Sequence, residues 1–431
     1  MRMRAFAAEK ADEVVFLDAA ASIGRDILEQ AVWDGGRCNW VGAAPEEARA
    51  GEVVMTYAAL GPGLYDGTSG IALFLSHLSA ATGDADARRT ALGAIRQALT
   101  VEDDRRPASP SVYTGMLGVA LAAAETGRVL SEDGLIEDAA RLVPLVVEAP
   151  SVEFDLLLGQ AGGIVGLLAL HQALGDRRWL DHACDLGHDL VRRGRKRGRR
   201  LSWGSPTVRG EAHLTGLSHG AAGAALALIE LARVTGDSSF REATTAAFAY
   251  EQHVFDAEEQ NWPDYRALPA RPRRAQSTPF ATFWCHGAPG IALSRLRSIE
   301  LSGDPAARED AQIALGTTER AVRGALRNHT GNFSLCHGLA GNAEVLTEGP
   351  RVLGSECPAG AGVARQGAET GVERYGSAGS WPSGAYGGQT PSLFLGLAGV
   401  GLFYLRLANP AVPSVVVIRP EAFRAGSRRT P

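Results

Sequence analysis

Residues 284–290, Trp-Cys-His-Gly-Ala-Pro-Gly, and residues 336–341, Cys-His-Gly-Leu-Ala-Gly, are two copies of one motif. In each copy a Cys-His pair leads into a Gly-x-x-Gly step, and an apolar run follows that is long enough for a helix. Two cysteines and an adjacent imidazole at glycine-rich helix starts suit a zinc site with three protein ligands and one open position. An open position is what a catalytic zinc ion requires.

The Gly-x-x-Gly step recurs seven times along the chain, at intervals of 44 to 67 residues. Each copy precedes a run of Ala, Leu, Ile or Val, which predicts a buried helix. The seven steps lie at residues 67–70, 115–118, 159–162, 220–223, 287–290, 338–341 and 396–399.

A Gly-Asp pair follows four of these steps at a constant distance, beginning at Gly83, Gly175, Gly236 and Gly303. Glycine is favoured just past a helix end and aspartate is a good cap for the next helix, so each repeat is predicted to be a helical hairpin. The second helices are amphipathic, with charged residues such as Glu251 predicted on their solvent-facing side.

Seven hairpins that cannot bury their apolar faces alone must stack. Closure into a ring removes the exposed ends, so the sequence predicts an all-α fold, an α/α toroid of seven inner and seven outer helices. An open helical solenoid is the alternative, although such irregular spacing is unusual for it. We expect a helical lead-in over residues 1–50, with its helix at 6–33, the toroid over 51–418 and a flexible tail over 419–431.

Three stretches interrupt the repeats. Residues 192–200 contain seven basic residues in nine, which indicates a solvated loop or a grip for an acidic peptide. Residues 256–283 and 349–390 are rich in Pro or Gly and are predicted to be long loops. Long loops at one end of a rigid scaffold often carry substrate recognition.

Composition excludes several classes of function. The formal net charge of −5 over 431 residues gives no general reason to bind nucleic acid or an anionic membrane. The five cysteines do not form a disulfide framework by count, and reduced thiols fit the cytoplasm. No uncharged apolar run reaches the ~20 residues of a membrane span.

The shared repeat phase of Cys285 and Cys336 predicts that the ring brings them together, with His337 as the third zinc ligand. His219 occupies the matching position in another repeat without a cysteine before it, so it is a candidate general acid or base. Asp155 lies among leucines and needs a partner there, as a helix cap or as the partner of His219. His286 either lines the pocket or packs.

With these motifs in this order, the chain resembles the lanthionine synthetase C-like (LanC-like) cyclases over residues 16–418, and most closely the cyclase half of class II (LanM) synthetases. The resemblance implies zinc ligands at Cys285, Cys336 and His337, and catalytic roles for His219 and Asp155. It also implies a Michael addition of a peptide cysteine to dehydroalanine or dehydrobutyrine, which forms a lanthionine or methyllanthionine thioether. The partner would be a dehydrated precursor peptide with leader and core.

The chain departs from the family in two respects. Class I cyclases carry an arginine four residues before the first cysteine, where this chain has Ala281, and a tyrosine after it, where this chain has His286. We therefore expect the enolate to be stabilised otherwise, by a protonated His286. The dehydratase domain of class II synthetases is absent from these residues, so we expect a separate dehydratase or a solitary cyclase.

Three other functions remain open at this point. A LanC-like protein that adds glutathione or another thiol to dehydrated peptides would have the same zinc site. A non-catalytic peptide-binding module would hold metal without turnover. A toroid glycosidase needs paired acids at the rim, and Asp155 has no evident second carboxylate.

Overall fold

The computed structural model describes residues 2–47, 53–100, 109–147, 153–205, 212–266, 279–357, 360–376, 381–384 and 388–425. This part of the chain forms fourteen α-helices. In chain order they are α1 (Arg2–Glu29), α2 (Thr68–Thr82), α3 (Ala85–Leu99), α4 (Met116–Leu130), α5 (Asp133–Val146), α6 (Gln160–Leu174), α7 (Arg178–Arg193), α8 (Ala221–Thr235), α9 (Ser238–Val254), α10 (Ala288–Ser302), α11 (Ala306–Asn328), α12 (Leu339–Leu353), α13 (Ala361–Tyr375) and α14 (Leu397–Ala408).

The helices form two concentric rings. Even-numbered helices such as α2 and α8 are buried along most of their length, whereas odd-numbered ones such as α3 and α9 bury one face. Each even-numbered helix packs against the next, and α14 packs against α2, which closes the inner ring. Each odd-numbered helix from α3 onward packs on the inner helix before it, and α1 packs on α14 as the seventh outer helix. The predicted α/α toroid is therefore confirmed.

Backbone hydrogen bonds between the loops at one rim also close the ring. The amide of Cys336, in the loop before α12, donates to the carbonyl of Phe394 in the loop before α14 (2.9 Å). The amide of Phe394 donates to the carbonyl of Tyr65 before α2, and the amide of Tyr65 donates to that of Tyr113 before α4 (2.8 Å each). The last repeat is thus bonded to the first, which an open solenoid does not allow.

The Gly-x-x-Gly steps have a steric cause. A Cβ atom at Gly290 would collide with the carbonyl oxygen of Trp284, and one at Gly341 would collide with that of Leu335. At the second glycine of each of the seven steps, a Cβ atom would likewise collide with the carbonyl oxygen of the residue six positions earlier. Each rim loop therefore folds back tightly on the first turn of its inner helix, which directs the residues just before the step toward the rim.

The predicted hairpin turns are confirmed at the Gly-Asp pairs. Gly83, which ends α2, has a φ of 74°, and Gly236, which ends α8, has a φ of 75°. Asp84 then accepts hydrogen bonds from two amides of the first turn of α3, and Asp237 accepts one from the first turn of α9. A left-handed glycine followed by a capping aspartate makes the tight turn of these hairpins.

Two predicted boundaries are wrong. The leading helix, expected over 6–33, spans Arg2–Glu29 and is followed by a β-hairpin. The loop expected over 349–390 contains the outer helix α13. Its buried face consists mostly of Gly and Ala because Leu339, Phe333 and Tyr404 pack closely against it, and such small residues give a weak helical signal.

Six short strands form three antiparallel hairpins in the described residues. The basic run forms the third of these, with Gly198 in a left-handed conformation at its turn. Residues 256–266 and 279–283 carry only isolated bridges, as expected for a loop, and residues 267–278 lie outside the described part. The strands are β1 (Val32–Asp34), β2 (Arg37–Asn39), β3 (Val41–Glu47), β4 (Val53–Ala59), β5 (Arg195–Arg197) and β6 (Arg200–Ser202).

The C-terminal segment is packed into the ring. Residues Val415 to Ile418 are at most 2% exposed. Tyr113 Oη donates to the carbonyl of Val415 (3.3 Å) and Trp284 Nε1 donates to that of Val416 (2.8 Å), from loops of two distant repeats. Residues 419–425, expected in a flexible tail, include a 3-10 turn at Pro420–Phe423, because Phe423 is buried there. Residues 426–431 lie outside the described part.

None of the helices in the described residues combines the length and the apolar character that a membrane crossing needs.

Candidate active site

The two motif cysteines meet at the rim. Cys285 lies in the loop before α10 and Cys336 in the loop before α12, and their side chains are in hydrogen-bond contact. The contact lowers the pKa of the Cys285 thiol, whereas the same contact together with burial raises the pKa of Cys336. The predicted meeting of the two cysteines is confirmed.

His337 follows Cys336 but faces a different partner. Its Nε2 lies 3.0 Å from the carbonyl oxygen of Gly384, and Phe283 packs edge-on against the ring with centroids 6.0 Å apart. A carbonyl only accepts, so Nε2 carries the proton and Nδ1 keeps its lone pair. Burial also lowers the pKa of His337, which favours the neutral imidazole that binds metals.

These three residues fit zinc by their chemistry. Two thiols and a neutral imidazole are a common zinc donor set, and a ring N–H donated to a carbonyl is the usual support for a histidine ligand. In the described residues, however, no group of three or more His, Cys, Asp or Glu side chains is already arranged to hold a metal ion. The structure thus brings Cys285 and Cys336 together without completing a three-ligand cluster with His337.

His219 and Asp155 form a buried pair across two repeats. His219 Nδ1 lies 2.7 Å from Asp155 Oδ2, and the two side chains are 20% and 5% exposed. The other carboxylate oxygen of Asp155 accepts a hydrogen bond from the Leu158 amide (2.6 Å). Of the two partners considered for Asp155, the structure therefore shows His219. Because Asp155 holds Nδ1, the His219 Nε2 is left to exchange a proton.

The loop that carries His219 is held by a residue that the sequence analysis missed. Glu251 Oε1 accepts hydrogen bonds from the amides of Gly216 (2.9 Å) and Ala222 (3.1 Å), on either side of His219. Its Oε2 accepts one from Arg295 (2.5 Å). Glu251 was expected on the solvent-facing side of α9, but it is fully buried. Burial is tolerated because the rim-loop amides and Arg295 donate hydrogen bonds to its carboxylate. The sequence contains no local signal for this role.

His286 lies deep in the same site. Its side chain is 1% exposed, and its ring stacks on His219 with centroids 5.7 Å apart. Burial lowers the pKa of His286 to about 3, with Arg266 contributing in the same direction. These surroundings favour the neutral ring and do not support the expectation of a protonated His286.

The positive charge that was expected on His286 is carried instead by a guanidinium group in the loop between α9 and α10. Arg266 forms a forked ion pair with Asp264 (3.0 and 2.7 Å), and Asp264 lies 3.9 Å from the His286 ring. The Cys336 contact is the main cause of the lowered pKa of Cys285, and the Arg266 charge adds to it. Arg266 thus places a cation near the cysteines from a loop. Position 281, where class I cyclases carry an arginine, is an alanine in this chain. The sequence analysis missed Arg266 because nothing in a proline-rich loop indicates where it folds.

Comparison with known proteins identifies the family of this chain. A family model described as "Lanthionine synthetase C-like protein" matches residues 58–417. The chain belongs to this family. The resemblance predicted from the Cys-His-Gly and Gly-x-x-Gly motifs is therefore confirmed for this LanC-like protein, and its closer likeness to class II synthetases is consistent with the match.

The solved structures support the fold. The LanC-like chain is similar to nisin cyclase, with a TM-score of 0.62, 17% identity, and coverage of 84% of this chain and 91% of that chain. It also matches a GH76 α-mannanase from Bacteroides thetaiotaomicron, with a TM-score of 0.49, 10% identity, and coverage of 92% and 96%. The second likeness is too distant to bear on function, and the first shows that the toroid is shared.

Proposed function

We propose that this LanC-like protein is a zinc-dependent lanthipeptide cyclase. In this proposal, the thiol of a peptide cysteine adds to dehydroalanine or dehydrobutyrine in the same peptide and forms a thioether ring. The observation that carries the proposal is the meeting of Cys285 and Cys336 at the rim that also holds the paired His219 and Asp155. The family match and the likeness to nisin cyclase support it.

Cys285, Cys336 and His337 would hold the zinc ion. When bound, zinc would lower the pKa of a substrate thiol and keep its sulfur as a thiolate near neutral pH. Cys285 is partly accessible at the rim, which suits a site that a substrate must reach. The carbonyl of Gly384 would fix the tautomer of His337 for this role.

His219 and Asp155 would handle the proton of the addition. The thiol loses its proton, the new carbon–sulfur bond forms, and the electron pair of the alkene moves onto the neighbouring carbonyl as an enolate. The enolate carbon then takes up a proton, so the reaction consumes none overall. His219 Nε2 can accept the first proton and donate the second, while Asp155 orients the ring and stabilises its charged form.

Arg266 would offset the negative charge of the enolate. A cation near a developing oxyanion in a partly buried site contributes more than it does in water. Asp264 orients the guanidinium through its forked contact. The neutral His286 ring would position His219 by stacking, without carrying charge itself.

We expect Arg266→Gln to slow cyclisation by about 100-fold, the lower end of the cost of losing one donor to a transition-state oxyanion. His286→Phe keeps an aromatic ring beside His219 and should cost less than Arg266→Gln. The rates are measured by mass spectrometry after thiol alkylation, which tags only cysteines that have not cyclised. A larger loss in His286→Phe than in Arg266→Gln would contradict this division of roles.

The proposed function is tested with a dehydrated peptide that carries one cysteine and one dehydroalanine. Purified protein loaded with zinc should convert it to a product of unchanged mass that resists thiol alkylation. Glutathione is offered in a parallel reaction. A mass increase by one glutathione with no cyclised product would favour the thiol-addition alternative, and no conversion of either kind would favour a binding module. In cells the reaction requires a dehydratase activity that acts first on serine and threonine.

A further inference from the structure

Tyr65 occupies the same phase of the repeat as the two motif cysteines. Cys285 and Cys336 each lie two positions before the first glycine of a Gly-x-x-Gly step, and Tyr65 has that position before the first step of the chain. Backbone hydrogen bonds connect these places around the rim. The amide of Cys336 donates to the carbonyl of Phe394 (2.9 Å), and the amide of Phe394 donates to that of Tyr65 (2.8 Å). The closed ring thus brings a residue of the first repeat beside a cysteine of the sixth.

The aromatic ring of Tyr65 is held by stacking on Phe394. The two ring centroids are 4.8 Å apart, and the ring planes are inclined by 15°. Phe394 lies between Tyr65 and Cys336 in the series of backbone bonds, so the stack directs the phenol toward the sulfur. The Tyr65 hydroxyl and the Cys336 side chain are in hydrogen-bond contact. Cys336 therefore has two polar neighbours, the Cys285 thiol and this phenol.

The direction of the contact in a metal-bound site follows from the chemistry of the two groups. A cysteine that binds zinc has lost its proton, so its sulfur can only accept a hydrogen bond. A phenol has one O–H group to donate. Hydrogen bonds donated to the ligands of a metal fix their orientation, and those around a cysteine sulfur tune the bound metal. Tyr65 is therefore placed to support Cys336 as the carbonyl of Gly384 supports His337.

We propose that Tyr65 is a positioning residue of the zinc site, and that its hydroxyl donates a hydrogen bond to the Cys336 sulfur when the metal is bound. The inference rests on the proposed function, because it takes Cys336 to be a zinc ligand. A donated hydrogen bond withdraws electron density from this sulfur. The metal then accepts more charge from the thiolate of the substrate, which favours loss of the substrate's thiol proton.

The first test measures zinc affinity in the absence of peptide, by competition with a chromophoric chelator. Tyr65→Phe keeps the ring that stacks on Phe394 and removes only the hydroxyl. We expect this variant to bind zinc about 10-fold to 100-fold more weakly, the usual cost of losing a group that supports a metal ligand. Tyr113→Phe is the matched control, because Tyr113 has the same position in the next repeat but its hydroxyl donates to the carbonyl of Val415. Its zinc affinity should be unchanged.

The second test replaces zinc with cobalt(II) and examines the sulfur directly. Thiolate ligands give cobalt(II) a charge-transfer absorption band, and the energy of this band falls when the sulfur becomes richer in electrons. The band should therefore move to longer wavelength in Tyr65→Phe and keep its position in Tyr113→Phe. A tyrosine that only fills space would leave the band in place in both variants.

An unchanged zinc affinity or an unchanged cobalt band in Tyr65→Phe would overturn the proposal. Equal losses in Tyr65→Phe and Tyr113→Phe would also overturn it, because a general effect on packing would then explain both. The two levels of inference fail separately. Zinc binding that depends on Tyr65 without any cyclisation would refute the proposed function alone, whereas cyclisation with full zinc affinity in Tyr65→Phe would refute the role of Tyr65 alone.

Discussion

Cys336→Ala is expected to lose zinc and to lower the rate of cyclisation by at least about 100-fold. Losing a metal ligand should cost at least as much as losing a supporting residue, which already costs ~10-fold to 100-fold. Cys336 is 4% exposed and is in contact with Cys285. The alanine variant therefore loses one of the two sulfur donors, and no other donor takes its place. The zinc content, measured by elemental mass spectrometry, tests the assignment of Cys336 as a zinc ligand independently of activity.

Cys184→Ala is the matched control for Cys336→Ala. Cys184 is also a free thiol, but it is only half-buried and lies on the outer helix α7. This control should keep both zinc and turnover. Full zinc occupancy in Cys336→Ala would refute the ligand assignment, and circular dichroism should show the toroid intact in both variants because the inner helices pack on one another around the whole ring.

His219→Ala is expected to keep zinc and to slow cyclisation by about 100-fold or more, the scale of general acid–base catalysis. The reason is the position of His219, which is bonded to Asp155 and belongs to a repeat without a cysteine motif. Asp155→Asn should also slow the reaction, since it leaves the imidazole without its anionic partner. The double variant should be little slower than His219→Ala alone, because the two residues act as one unit.

The chain offers a second histidine–aspartate pair as a control. His188 Nε2 lies 3.3 Å from Asp237 Oδ2, but this pair is exposed on the outer ring. His188→Ala should therefore leave the rate unchanged. Loss of zinc together with His219 would make His219 a ligand, and an unchanged rate in His219→Ala would remove it from the mechanism.

The sequence predicts those parts of the site that repeat. Cys285 and Cys336 share one phase of the Gly-x-x-Gly period, and closure of the ring brings equal phases together. The same period identifies His219 as a candidate, because it occupies the matching position in another repeat. Asp155 is recognisable because a carboxylate among leucines needs a partner.

The unpredicted parts lie outside that period. Arg266 belongs to an irregular loop, where no pattern indicates which side chain returns to the rim. Glu251 is one charge among several on an amphipathic helix, and only the tertiary structure shows that it is buried. Helix α13 is rich in Gly and Ala, so its contribution to the core comes from close packing with little apolar surface. Each of these features depends on contacts between distant segments.

The packing of α1 on α14 has a consequence for synthesis on the ribosome. Because α1 precedes the other described helices, it cannot pack on its inner partner α14 until residues 397–408 have been made. The segment Val415–Ile418, which lies beneath Tyr113 and Trp284, arrives later still. Contacts between such distant residues are slow to form. The two cysteines should therefore reach their final geometry only after translation has passed the last repeat, because the amide of Cys336 bonds to the carbonyl of Phe394.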